Sequence, residues 1–356
     1  MDQQFLEVET VTHADIRQAW METKPNQVKS PSSLLADAYG ITEPEVIASG
    51  CGLFAKRLCG DWREFLIALR TLGPLRMQLR NELLSHEITG LLDPMSTLDR
   101  NLYFRSGESS LSLDTNRLQL AYLVREPESN HYNAIYFFDL DGSPVLIIGV
   151  PEGAHGKLHP LFSRFIHPNQ AQAQEQPLVT ISPTSTVPEW PQKDIEQLRQ
   201  DWSNLMSGEE IQSFLDQNNI GYQQLLNKLG SPVARPFPKG SLRILLEVGM
   251  DHILPIRIIS YCSDSVMNWC GEVTDVRVHN EILHAKGIAT KFCCEEDRVE
   301  QGWLVTMPGA DTPARAEFFD NNGSHVVTLT LPHKVKKQFD QSWHEIVEIL
   351  ASLDME

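Results

Sequence analysis

Histidine side chains are most closely spaced between residues 155 and 167. His155 and His159 lie four residues apart in the segment GAHGKLHP, and His167 follows. On one face of a helix, this spacing brings two imidazoles to the same transition-metal ion. Gly153 and Gly156 favour a loop instead. The segment therefore predicts either a histidine metal site or an irregular surface loop.

A further histidine, His86, stands beside Glu87 in the segment RNELLSHE. A carboxylate next to an imidazole can support metal ligation or proton transfer. The alternative is a histidine at a strand end that bonds only to the backbone. Arg80 opens the same segment, and we expect it either to bind a ligand carboxylate or to pair with Glu82.

The cysteines favour reduced thiols over a disulfide framework or a metal site. The sequence contains no CxxC spacing, and we expect no secretory signal because the acidic first residues lack a basic start and an apolar stretch. Adjacent Cys293 and Cys294 would point to opposite faces of a strand, so they are not expected to share a metal. The HNEILH segment spans His279 to His284 with an interval that suits neither a helix face nor a strand face, and it is expected at the surface.

Composition and charge limit the classes of partner. The chain has 356 residues, 41% of them hydrophobic, and a formal net charge of −17. This field repels phosphate backbones and anionic lipids, so no nucleic-acid partner and no membrane insertion are expected. GxSxG, HExxH, P-loop and GxGxxG motifs are absent from the sequence. A cytoplasmic location is predicted.

The sequence repeats itself at a constant shift of about 181 residues. RLQLAYLVREP from Arg117 matches RVEQGWLVTMP from Arg298, and FFDLDGSPV from Phe137 matches FFDNNGSHV from Phe318. The shift runs through both segments without a gap, which indicates a tandem duplication. Two similar folds related by a pseudo-two-fold axis are therefore expected.

Each copy combines helical periodicity with later strand alternation. Segments such as DWREFLIALRTLG and YQQLLNKLG predict helices, and Gly50, Gly73 and Gly230 stand where helices should end. LQLAYLV and YNAIYFF, followed by the turn residues DLDG, predict antiparallel hairpins. The fold class is α+β, with a sheet flanked by helices in each copy. We predict a first repeat at 1–167, a linker at 168–192 and a second repeat at 193–356.

These features together resemble a known family. RNELLSHE, the paired FFD-x-x-G motifs and the DW-x-x-L…IQSFL helix are similar to the hemin-degrading and hemin-transport family of HemS/ChuS type, over nearly the whole chain. The resemblance implies a cytoplasmic protein that binds heme in a cleft between its halves. It also implies that heme is received after import and is stored, passed to heme-accepting proteins, or degraded.

The resemblance assigns heme contacts to positions at which this chain departs from the family. The axial histidine of the second-half helix is replaced by Gln212, and an amide is a poor iron ligand. Ser112, Tyr222, Met307 and His333 fall where the family has cations near the macrocycle. Tyr222 as tyrosinate and Met307 as thioether remain alternative iron ligands, against the alternative that both are packing residues.

Two functions follow from this reading of the sequence. The first is a heme-utilisation protein, for which a heme-degrading, oxygenase-like activity stays open because no dedicated acid–base pair is visible. The second is a non-catalytic binding or regulatory protein that kept the scaffold and lost heme ligation. The replacements at Gln212, Ser112 and Met307 are the features that separate the two.

Overall fold

The computed structural model describes residues 12–24, 29–91, 95–98, 101–127, 129–154, 160, 162–171, 194–205, 210–262, 265–307, 313–332 and 334–353. Three predicted site residues, His155, His159 and His333, lie outside these ranges. So does residue 172 onwards of the predicted linker.

The helices lie where the sequence pattern predicts them, with one addition at the N-terminal end. They are α1 (His13–Glu22), α2 (Pro31–Tyr39), α3 (Glu43–Ser49), α4 (Trp62–Leu69), α5 (Ile195–Ser203), α6 (Ile211–Asn218), α7 (Tyr222–Leu229), α8 (Ser241–Asp251) and α9 (Lys337–Ala351). Helix α1 has no predicted counterpart. Its start is a capping box in which Thr12 and Asp15 satisfy each other's backbone N–H groups.

The strands follow the predicted hairpins. They are β1 (Ala55–Leu58), β2 (Leu75–Arg80), β3 (Leu84–Gly90), β4 (Met95–Leu98), β5 (Asn101–Ser106), β6 (Ser109–Asp114), β7 (Leu120–Val124), β8 (Ala134–Phe138), β9 (Pro144–Gly149), β10 (Ala234–Phe237), β11 (Pro255–Cys262), β12 (Ser265–His279), β13 (Ile282–Gly287), β14 (Thr290–Glu295), β15 (Val299–Val305), β16 (Arg315–Asp320) and β17 (His325–Thr330). The predicted α+β class is confirmed.

The predicted duplication holds at the level of single residues. Strands β5 and β6 recur as β13 and β14 with both ends shifted by 181 residues. The pairing register recurs as well, because Asn101 faces Asp114 in the first hairpin and Ile282 faces Glu295 in the second. The two copies therefore share the strand lengths and the hydrogen-bond register of this hairpin.

The two copies exchange strands. β6 of the first copy pairs with β12 of the second, where Ser110 faces Asn268. β14 of the second copy pairs with β3 of the first, where Lys291 faces Glu87. These two pairings are the same pairing with the copies interchanged. Each copy completes its sheet with a strand of the other.

Because of this exchange, the compact units of the structure are not continuous in sequence. One unit comprises Met1–Met77 and Thr115–Thr180, and the other comprises Gln78–Asp114 and Ile181–Glu356. The predicted domain boundaries describe the sequence repeat rather than these units, and they stay a prediction.

The first unit holds an antiparallel sheet in the order β1-β7-β8-β9. Alternate residues of the strands face opposite sides, and both sides are buried. Tyr122 and Tyr136 belong to an apolar cluster with α1, α2 and α3, in which Trp20 stacks on Phe54. Phe137 points to the other side, where it contacts Trp62 of α4.

The second unit holds a longer antiparallel sheet in the order β10-β15-β16-β17-β11-β12-β6-β5-β4. An irregularity between Val273 and Asp275 divides β12, and its second part pairs with β13, followed by β14 and β3. Helices α5, α6 and α7 pack on one face of the sheet around Trp303 and Phe319.

Gly50, at the end of α3, is explained by packing and not by the positive φ angle that the sequence pattern predicts. Gly73 and Gly230 have the positive φ angles of 91° and 54° that glycine accommodates, whereas Gly50 has φ −89°. A β-carbon at Gly50 would lie 2.1 Å from the ring of Phe54. Gly50 is therefore required by the close approach of Phe54.

We expect Gly50→Ala to lower the free energy of unfolding by about 1–3 kcal/mol, because the new methyl group overpacks the Phe54 contact. Chemical denaturation followed by circular dichroism measures the change. Gly153→Ala is the matched control, since a β-carbon there meets no atom within 4 Å. Equal stability of the two variants would contradict the packing role of Gly50.

Candidate functional site

A carboxylate lies fully buried in the second unit. Glu317 of β16 has no exposed surface, and one of its oxygens accepts a hydrogen bond from Arg315 Nε at 2.5 Å. The other oxygen lies 2.8 Å from His325 Nε2 and accepts a hydrogen bond from the Thr328 hydroxyl. Both oxygens are therefore satisfied by groups from β16 and β17, which is the condition for burying a charge.

Aromatic rings enclose this carboxylate. The Tyr222 hydroxyl, at the start of α7, donates to Glu317 Oε1 at 3.2 Å. The His325 ring stacks on Tyr261 with 4.0 Å between centroids and on Phe319 with 5.0 Å. We call Tyr222, Tyr261, Arg315, Glu317, His325 and Thr328 the Glu317 cluster.

Electrostatics hold Glu317 ionised and Tyr222 protonated. Burial by itself raises the pKa of Glu317, but Arg315 and His325 outweigh it and keep that pKa well below its usual range. Burial, and next the charge of Glu317, raise the pKa of Tyr222 well above its usual value. Tyr222 is therefore a neutral phenol, whereas iron is bound by tyrosinate.

The Glu317 cluster exists in one copy only. The residues 181 positions before Arg315, Glu317 and Thr328 are Ala134, Tyr136 and Ile147. All three belong to the apolar cluster of the first unit. A buried ion pair gives little stability over apolar packing at the same place, so the second copy gains no evident stability from it. Such clusters are candidate functional sites.

Sequence reasoning missed Glu317, Arg315 and His325, although a signal was present. The two copies align ARAEFFD with NAIYFFD, and this places a glutamate and an arginine in a strand whose counterpart is apolar. A charged residue at a position where the other copy has a buried apolar residue indicates that the two positions have different roles.

Two of the predicted heme contacts lie in one apolar cluster of the second unit, and one of them, Tyr222, belongs to the Glu317 cluster. Tyr222 and Met307 share the apolar cluster of α5, α6 and α7, and Met307 is only 4% exposed. Gln212 lies on α6, but its side chain is exposed and its Nε2 donates to Asp216 Oδ1 at 2.8 Å.

Ser112 lies elsewhere, at the strand exchange. It is a half-buried residue of β6, facing Tyr103 on β5 and Val266 on β12. Whether any of these side chains touches heme stays a prediction.

His86 lies inside β3 rather than at a strand end, and it is fully buried. Its Nδ1 is 2.8 Å from the Ser260 hydroxyl and its Nε2 is 3.2 Å from the Thr290 hydroxyl. Thr290 donates its own hydrogen to the Glu87 carbonyl, so it accepts from His86 Nε2–H and Ser260 donates to Nδ1. Burial lowers the pKa of His86 to about 3. The ring is neutral, and a ligand role for His86 would require one of these hydrogen bonds to break.

Arg80 lies buried on β2, with its charge near the thiol of Cys262. Glu82, one of its two predicted partners, forms an ion pair with Arg298 instead, at 3.6 Å. The other predicted partner, a ligand carboxylate, stays a prediction.

Heme is the cofactor that the resemblance implies, and the described residues do not fit the expected iron ligation. Gln212 supplies an exposed amide, Met307 is packed in an apolar cluster and the Tyr222 phenol is held by Glu317. In the part of the chain that the structure describes, no three His, Cys, Asp or Glu side chains come close enough to hold a metal ion.

A cleft of about 270 Å³ lies in the first unit, and none of these residues lines it. It is lined by Arg57, Leu58, Cys59, Gly60, Trp62, Gln119, Leu120, Ala121, Tyr122 and His167. Its volume is below the roughly 300–1,000 Å³ of ordinary ligand pockets, so it does not suit a macrocycle. None of the described helices is both long and apolar enough to cross a membrane.

Comparison with known proteins identifies related sequences. Residues 40–152 match the family described as haemin-degrading HemS.ChuX domain. The hemin transport protein HmuS of Yersinia pestis is 24% identical over 351 residues, which cover 96% of this chain and 99% of that protein. The hemin transport protein HemS of Yersinia enterocolitica is 23% identical, over 96% of this chain and 98% of that protein.

Solved structures share the fold over the full length. The heme degrading enzyme ChuS of Escherichia coli O157:H7 superposes with a TM-score of 0.80 at 19% identity, over 95% of this chain and 99% of that one. The holo form of PhuS, a heme-binding protein from Pseudomonas aeruginosa, gives a TM-score of 0.81 at 21% identity, over 97% and 100%. The predicted resemblance, including its full-length extent, is confirmed.

We expect Glu317→Gln to lower the free energy of unfolding by about 3–5 kcal/mol, because Arg315 would remain buried without its counter-charge. Denaturant titration at neutral pH measures this change. Glu348→Gln is the matched control, since Glu348 pairs with Arg235 at a half-exposed site and should lose about 1 kcal/mol or less. Similar losses in both variants would contradict a special role of the buried pair.

We expect the free energy of unfolding to fall as the pH drops from about 6.5 toward 3. The contribution of His86 to this slope is roughly 1.4 kcal/mol per pH unit. The unfolded chain binds a proton at His86 in this range and the folded chain does not, since the folded pKa is lowered. Unfolding free energies of the wild type and His86→Gln across this range test it. The His86→Gln variant should show a shallower slope.

His252→Gln is the control for that slope, because His252 is exposed after α8. It should follow the wild type. A His86→Gln variant with the wild-type slope would mean that the buried ring is not the group that titrates.

Proposed function

We propose that the chain is a member of the HemS/ChuS-type family of hemin-degrading and hemin-transport proteins, and that it binds heme or a related tetrapyrrole as a cytoplasmic heme-utilisation protein. The full-length match to HmuS, together with the residue-level duplication, is the observation that carries the proposal. The similarity covers both copies, so the complete scaffold is retained.

Within that family, we favour heme storage or transfer over degradation for this chain. The described counterparts of the expected contacts offer no ready iron ligand, and the cationic positions hold Ser112, Tyr222 and Met307. Loss of cations removes charge-assisted hydrogen bonds to carboxylate groups of a ligand. Weaker, ligand-poor binding suits a protein that releases its cargo to a heme-accepting partner. Such a partner, and a heme importer as donor, are part of the proposal.

A second candidate function is a non-catalytic binding or regulatory protein that no longer binds heme. The hydrogen bond between Tyr222 and Glu317 favours it, because this bond occupies the phenol that is one of the expected heme contacts. In this case the Glu317 cluster would be the binding site of the second copy, and it would bind a ligand other than heme.

Hemin titration of the purified apo protein separates the two functions. Heme binding predicts a saturable, stoichiometric shift of the Soret band. We further expect Gln212→His to raise hemin affinity tenfold or more, or about 1.4 kcal/mol, because an imidazole replaces the exposed amide at the expected axial position.

Gln217→His is the matched control, since Gln217 is an exposed residue of the same helix on a different face. It should leave the affinity and the spectrum unchanged. Absorbance that never saturates in the wild type and in Gln212→His would refute heme binding and support the second candidate.

A further inference from the structure

A histidine and a cysteine meet on adjacent strands of the second unit, apart from the Glu317 cluster. His284 of β13 faces Cys293 of β14 in the antiparallel register, and His284 Nδ1 lies 3.1 Å from Cys293 Sγ. The sequence pattern predicts that the HNEILH segment lies at the surface. It does not predict the contact between His284 and Cys293. Imidazole nitrogen and thiolate sulfur are the ligands of soft metal ions.

The two donor atoms are held mainly by each other. The Cys293 contact is the one hydrogen bond that the His284 ring makes within the described residues, and its Nε2 is buried without a partner there. Only the hydrogen bond between His284 and Cys293 itself must open when the two atoms bind a metal. Cys293 is 9% exposed, and burial raises the pKa of its thiol to about 11. The thiol therefore keeps its proton until a metal displaces it.

The first copy lacks both donors. The residues 181 positions earlier are Tyr103 and Ser112, which face each other in the same register on β5 and β6. The strand geometry is common to both copies, but a sulfur–nitrogen donor pair stands only in the second. The pair is therefore not a requirement of the hairpin.

We propose that His284 Nδ1 and Cys293 Sγ together bind a soft monovalent metal ion of the Cu(I) type. Binding forms one metal–sulfur and one metal–nitrogen bond and breaks the S–H bond, whose proton passes to solvent. No electron is transferred, since the ion enters as Cu(I). The proposal does not depend on heme binding.

Coordination number favours a monovalent ion over zinc. Structural zinc takes four protein ligands, whereas no third His, Cys, Asp or Glu joins this pair among the described residues.

Charge favours it too. Lys291 and Lys286 contribute positive potential at Cys293, against the single negative charge of Glu87. One thiolate neutralises a monovalent ion completely but leaves a divalent ion with a net positive charge beside these lysines.

The required movement is small. Metal–sulfur and metal–nitrogen bonds of about 2.3 and 2.0 Å separate the two donor atoms by roughly 3.5–4.3 Å, depending on the angle at the metal. From 3.1 Å, side-chain rotation must open the pair by about 1 Å. The backbones of β13 and β14 stay paired.

The test is an anaerobic titration with Cu(I) against the chromophoric chelator bicinchoninate. The full chain carrying Cys59→Ser and Cys270→Ser serves as the background, because those two thiols are half-buried and would add nonspecific binding. We expect one equivalent of Cu(I) to bind with a sulfur-to-metal charge-transfer band. His284→Gln and Cys293→Ser should each lower the affinity at least tenfold, and His279→Gln should not.

A second measurement uses the unaltered side chains, so that misfolding of a variant does not decide the outcome. Cu(I) should protect Cys293 from alkylation by iodoacetamide at least tenfold, and Zn(II) at the same concentration should not. Unchanged Cu(I) affinity in folded His284→Gln, or alkylation of Cys293 at the same rate with and without Cu(I), would overturn the proposal.

Discussion

The rest of the structure depends on the register in which the two copies pair with each other. β6 bonds to β12 and β14 bonds to β3, so each copy supplies the strand that satisfies the backbone groups of the other. A slip of one residue would turn every side chain of a strand to the opposite face. His86, Ser112 and Cys293 all lie on these exchanged strands. The constraint explains why the hairpin of β5 and β6 recurs in β13 and β14 with identical strand lengths, although its side chains differ.

Within this shared strand register, the two copies bury different side chains. The first surrounds Ala134, Tyr136 and Ile147 with apolar side chains, while the second puts Arg315, Glu317 and Thr328 at the same places. A buried carboxylate is tolerable only while all its partners are present. The second copy is therefore bound to keep Arg315, His325 and Thr328 together, and this fixes the surroundings of Tyr222.

That fixed environment bears on the heme proposal. The family resemblance places a ligand beside Tyr222, but the phenol donates its hydrogen bond to Glu317 and the exposed Gln212 donates to Asp216. A scaffold can be retained while its ligand contacts change, since packing and strand register do not require the ligand. The same reasoning applies to His284 and Cys293, which share a register with Tyr103 and Ser112 but not their chemistry.

The sequence by itself determined the duplication, the α+β class, nearly all helices and the hairpins, because periodicity, turn residues and a gapless shift are local signals. It also indicated the family. It did not determine that copies exchange strands, that His86 is neutral between Ser260 and Thr290, or that Glu317 and Arg315 form a buried pair. Each of these features involves residues that strand pairing and burial bring close together in space. Only the tertiary structure decided them, because hydrogen-bond partners and dielectric surroundings are set by neighbours from distant segments.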